Sequence, residues 1–114
     1  MIAVIFEAWP HEEQYNHYLD LAVALKPLLA QIEGFISIER FQSLSEPGKV
    51  LSLSFWRDED AIQQWRSVEL HRAAQAAGRR RVFEDYHLRL AQVMRDYSLE
   101  DRAQAPKDSR QVHG

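Results

Sequence analysis

From Ile2 to Trp9 both parities of the chain are apolar, broken only by Glu7. That density of β-branched and aromatic residues reads as a buried strand, and Pro10 closes it. A helix follows, because Tyr15, Tyr18, Leu19, Ala22, Leu25, Leu29 and Ile32 recur at three- and four-residue steps. Glu12 and Glu13 suit its positive N-terminal end. Pro27 falls inside this run, where its missing N–H and its ring predict a bend one turn earlier or a restart near Lys26. Gly34 stands where a helix-ending glycine belongs, and Phe35 to Leu44 reads as a second strand.

Ser45-Glu46-Pro47-Gly48 is turn chemistry and predicts a hairpin. The third strand, Val50 to Trp56, alternates Leu51, Leu53 and Phe55 against Ser52 and Ser54. A second helix starts around Asp58 and runs to about Ala77, with Ala61, Ile62, Trp65 and Val68 on its stripe and Gly78 as the stop. Ser67 could cap a restarted segment, which predicts a kink between Ser67 and Leu70. Tyr86 to Tyr97 reads as a fourth strand.

The order β-α-β-β-α-β is the ferredoxin-like split motif of the α+β class, a four-stranded antiparallel sheet with both helices on one face. Two helices leave the other face bare, yet the first strand is apolar on both parities. A second copy covering that face predicts a homodimer in which two sheets form a dimeric α+β barrel. The domain is expected over residues 1–98. Residues 99–114, poor in apolar side chains, read as a polar C-terminal tail, flexible or crossing to the partner.

At 114 residues there is one domain. Its net charge of −3 and pI near 5.9 give no footprint for nucleic acid. The absence of cysteine excludes disulfides, thiolate catalysis and Cys-ligated metal sites, and fits a cytoplasmic protein. No apolar run approaches the ~20 residues of a membrane span, and the N-terminus lacks the basic start of a signal peptide. His11 and His17 lie six apart, which is no metal-binding spacing, and the four glycines form no phosphate loop. Neither a metal nor a cofactor is expected.

Trp65 on its stripe either plugs helix to sheet or lines a pocket, where its indole would stack on a planar substrate and its N–H donate to an oxygen. His71 is either a surface histidine or a general base for a phenol or an activated methylene. On a continuous helix His71 lies about 120° around the axis from Trp65, so only a kink would bring both to one cavity. Glu7 and Glu39 interrupt apolar strands and are expected to pair with arginines on neighbouring strands. Arg79, Arg80 and Arg81 could hold a carboxylate or simply answer a helix terminus.

Gly34-Phe35-Ile36-Ser37-Ile38-Glu39-Arg40-Phe41, Ser54-Phe55-Trp56 leading to Ala61 and Trp65, then His71, Gly78-Arg79, Phe83, Tyr86 and Arg95-Asp96-Tyr97 together resemble the antibiotic biosynthesis monooxygenase family. The resemblance covers about residues 1–98. It implies a cofactor-independent monooxygenase acting on a planar aromatic or quinol-like small molecule. His71 and Trp65 are then the candidate catalytic residues, and Glu7, Arg40, Phe83 and Tyr86 the candidate substrate-binding ones. A haem-degrading branch of the family uses a first-strand Asn, a second-helix Trp and a His ten residues later. Here Trp65 matches, but position 75 is Gln75 and the first strand has no Asn. A non-catalytic ligand-binding or stress-associated dimer, and a haem-binding protein using His71 or His87, stay open as alternatives.

Overall fold

The computed structural model describes residues 1–75 and 82–113, with the backbone alone from 70 to 75 and at 113. Four strands, β1 (Ile2–Pro10), β2 (Phe35–Gln42), β3 (Val50–Trp56) and β4 (Phe83–Gln92), form one antiparallel sheet in the order β2-β3-β1-β4. Helices α1 (Tyr15–Leu29) and α2 (Glu59–Gln75) pack on one face, and a short α3 (Lys107–His113) ends the described chain. This is the ferredoxin-like α+β arrangement expected from the pattern. No helix among the described residues is long and apolar enough to cross a membrane.

Pro27 neither breaks nor restarts α1, which runs through it. The carbonyl left without a donor four residues back belongs to Val23, which is 73% exposed and so can be hydrated. Ala30 N–H then closes the last turn on Lys26 O at 3.2 Å. Glu12 and Glu13 lie in a separate 3-10 turn that precedes α1. Nor does α2 break near Ser67, whose hydroxyl donates back to Gln63 O at 3.3 Å and caps nothing. The cap of α2 is Asp58, whose carboxylate accepts Ala61 N–H at 3.0 Å. That bond and the Arg57 guanidinium hold its pKa below the usual carboxylate range.

Gly34 turns the chain from α1 into β2 at φ 95°. Its carbonyl accepts Arg57 N–H at 2.7 Å. A Cβ there would sit 2.9 Å from that of Ala61. One residue without a side chain thus joins the start of β2, the end of β3 and the first turn of α2.

The sheet presents Val4, Phe6, Ser52, Ser54 and Trp56 to the helices. Leu51, Leu53 and Phe55 point the other way, so on β3 the serines are buried and the leucines are only half-buried. The core under the helices is Leu29, Trp56, Ala61, Ile62 and Trp65. A smaller cluster joins Tyr18, Val50 and Val82. Beyond β4, Asp96 N–H donates to the Gln104 side chain, Arg102 stacks over Tyr97, and Ala105 is buried.

Candidate functional site

A cavity of about 600 Å³ lies between the sheet and its two helices. The antiparallel register builds its floor. Arg40 of β2, Ser52 of β3, Phe6 of β1 and Leu88 of β4 are successive cross-strand partners and line one row. The next row is Ile38, Ser54, Val4 and Leu90. Leu88 and Leu90 are each 45% exposed, so the cavity opens to solvent along β4.

The lining is mostly aliphatic, with a cluster of aromatic rings near β4. Phe6 meets Phe83 and Tyr86 with ring centroids 5.6 Å apart in both cases, and Tyr18 meets Phe83 at 5.4 Å. On the sheet side the polar groups are few, while α2 adds Glu59, Gln63, Arg66 and Glu69 to the lining. Trp56 Nε1 donates to Ser54 Oγ at 2.8 Å, which ties both to each other. Arg40 Nε donates to the Tyr18 hydroxyl at 3.4 Å, with the guanidinium also over that ring. Trp65 and Ser52 are buried, yet neither the indole N–H nor the hydroxyl has a hydrogen-bond partner among the described residues. Neither atom is sealed in. Both residues line the cavity, and each of these atoms has bonding capacity unused among the described residues.

The structure brings four of the six sequence-derived candidates to this cavity or its helix: Trp65, Arg40, Phe83 and Tyr86 all line it. His71 lies on α2, and its side chain is outside the described residues. Because α2 is unbroken, its position remains about 120° around the axis from Trp65. Arg79, Arg80 and Arg81 also fall outside the described residues.

Glu7 is elsewhere. It sits on the sheet face turned away from the helices, in a smaller hollow of about 360 Å³ with Ile5, Phe41, Lys49 and Leu51. Its carboxylate pairs with Lys49 Nζ at 2.5 Å and with the Arg89 guanidinium. Those hydrogen bonds, Lys49 first and Arg89 second, hold its pKa below the usual range. His87 shares that face, its ring near Arg89. Among the described residues no group of three or more potential ligands could hold a metal ion.

Sequence reasoning missed Tyr18 and Ser52. Tyr18 was legible only as one more member of the α1 stripe. The available signal for Ser52 was a serine parity within a strand that ends in Trp56.

The sequence profile of the antibiotic biosynthesis monooxygenase family matches residues 1–77. A relative from Pyricularia oryzae named Jasmonate monooxygenase ABM is 54% identical over 93 residues, covering 82% of this chain and 43% of its own length. The chain thus spans less than half of that relative. The uncharacterized protein YqjZ of Bacillus subtilis is 33% identical over 93 residues, covering 82% of this chain and 79% of its own. Among solved structures, Rv0793 from Mycobacterium tuberculosis superposes with a TM-score of 0.71 at 17% identity, covering 85% of this chain and 98% of that one. That likeness is one of fold.

Proposed function

The chain belongs to the antibiotic biosynthesis monooxygenase family, and from that premise we propose that it is a cofactor-independent monooxygenase whose substrate is a planar aromatic or quinol-like small molecule held between sheet and helices. One observation carries the reading: a cavity of about 600 Å³ lined by aliphatic and aromatic side chains, with Trp65 and Ser52 among its lining and their polar groups unpartnered among the described residues. Such a pocket binds by apolar contact and orients by a few placed hydrogen bonds.

The chemistry needs an acidified methylene or phenol. A base removes its proton, the carbanion passes an electron to dioxygen, and the radical pair combines to form a carbon–oxygen bond. For a methylene, loss of water from the hydroperoxide leaves a carbonyl, so CH2 and O2 become C=O and H2O. Four electrons leave the substrate and four enter dioxygen, which requires no outside reductant. Trp65 N–H would donate to the developing oxyanion or peroxide. His71 is the candidate base, and its variant decides whether the imidazole reaches the substrate. Jasmonate, the compound in the name of the Pyricularia relative, is a second substrate to try in the same cavity.

The same reading places a second copy of the chain over the open sheet face, where Ile5, Leu51, Leu53 and Phe55 stand half-buried and Phe41 is exposed. A cysteine-free chain is at home in the cytoplasm.

The test is incubation with anthrones, quinols and jasmonate under ¹⁸O₂ after chelator treatment, read by mass spectrometry. A product carrying one ¹⁸O from dioxygen is expected. Trp65→Phe should stay folded and turn over more slowly, and His71→Ala should fall roughly 10²- to 10⁴-fold if it is the base. Binding without oxygen-dependent turnover would make the protein a ligand binder. A Soret band on adding haem, with no turnover in its absence, would replace this reading by the haem one.

A further inference from the structure

Resting on the cavity reading above, we propose that the substrate is an acid, its carboxylate held by Arg40 and Ser52 while its apolar body lies over Phe6 and Leu88.

Arg40 stands apart from the cations whose partners are known. Arg57 is tied to Asp58 and Glu33, while Lys49 and Arg89 share Glu7. Arg40 has no carboxylate among the described residues; its one side-chain hydrogen bond goes to the Tyr18 hydroxyl, a neutral group. It is half-buried and faces a cavity whose floor is otherwise Ile, Val, Phe and Leu with two serines. A guanidinium has five donors in a planar fork, and one of them is used here. The others keep accessible surface toward the cavity, so a bound anion would exchange their water for charge-assisted hydrogen bonds.

The register supplies the second ligand group. Arg40 and Ser52 are direct cross-strand partners, so both side chains rise from adjacent positions on one face. The Ser52 hydroxyl has no partner of its own among the described residues. A carboxylate between them would accept from Arg40 with one oxygen and from Ser52 with the other. The next residues along that row, Phe6 and Leu88, are apolar and lead to the open edge at β4. A head group at Arg40 therefore sends the body of the molecule toward the mouth, past Phe83 and Tyr86. An apolar acid of one or two rings fits this layout. A phosphate ester fits less well: among the described residues the one other cation lining the cavity is the exposed Arg66, and Glu59 and Glu69 line it too.

Calorimetric titration with 1-naphthaleneacetate and its methyl ester separates charge from shape. The acid should bind roughly 10- to 100-fold more tightly than the ester, the range expected for a charge-assisted hydrogen bond. Arg40→Gln should bring the acid down to the ester's affinity while the ester changes less than about 2-fold; Arg40→Lys should keep part of the preference, since it keeps the charge and loses the fork. Ser52→Ala should cost the acid less than Arg40→Gln does. Arg66, an exposed cation of α2 that also lines the cavity, is the control. If Arg66→Gln abolishes the preference and Arg40→Gln does not, the assignment is overturned. Equal affinity for acid and ester in the wild type overturns it as well and leaves the cavity reading standing. Failure of both ligands to bind would remove the cavity reading and this proposal with it.

Discussion

At position 34 a side chain has nowhere to go. The backbone sits at φ 95°, and a Cβ would meet that of Ala61 at 2.9 Å. Gly34→Ala should therefore combine backbone strain with overpacking and lower stability by about 2 to 4 kcal/mol. Urea unfolding measures it; a loss under about 0.5 kcal/mol would mean that α2 simply moves aside. The glycine was visible in the sequence as a helix ender, but its close contact with a residue 27 positions later was not, because no local pattern announces a tertiary approach. Trp65 was legible for the opposite reason, since it lies on a helical stripe whose period is local. Ser52 was hidden by the alternation that exposed the strand: leucines and serines trade places at period two, and the pattern alone does not say which parity meets the helices.

For the four strands and the two long helices, existence and order were readable and ends were not, while the 3-10 turn at Glu12–Gln14 and the helix α3 were not anticipated. The alternation of the last strand runs on toward Tyr97, yet β4 stops at Gln92, which pairs with Ile2 near the start of β1. In the same way β2 stops at Gln42, opposite Val50, where β3 begins. A strand ends where its neighbour does, whatever its own sequence would allow. The ion cluster that joins β1, β4 and the approach to β3 makes a test at this scale. The folded-state pKa of Glu7 is lowered by Lys49 and Arg89, so its contribution is complete above the unfolded carboxylate value and is lost as pH falls through the lower folded value. Glu7→Gln should accordingly be less stable than wild type at pH 7. That gap should close on acidification below about pH 4.3, the unfolded value for Glu. Thermal unfolding across pH 7 to 2 checks it; a gap that persists to pH 2 would mean the glutamate stabilises by packing and not by charge.

On the scale of the whole molecule, the leucine parity of β3 lies on the bare face of the sheet, and a second copy is the proposed cover. Light scattering at micromolar concentration should return about twice 13.3 kDa. Leu53→Arg places a charge at the middle of that face, beside Ile5 and Glu39, and should give a folded monomer. A wild-type mass near 13.3 kDa would end the barrel proposal. The place of β1 in the sheet has a further outcome for synthesis. Its partner across the last ladder lies 90 residues away, Ile2 against Gln92. At cellular rates of about 5 to 20 residues per second, the ribosome adds those 90 residues over roughly 5 to 20 s. During that interval the growing chain carries an apolar strand with an unmatched backbone edge. Neighbouring nascent chains on one messenger hold the same edge at the same moment, so fast initiation should favour aggregation of this protein, and a slower start codon context should raise its soluble yield.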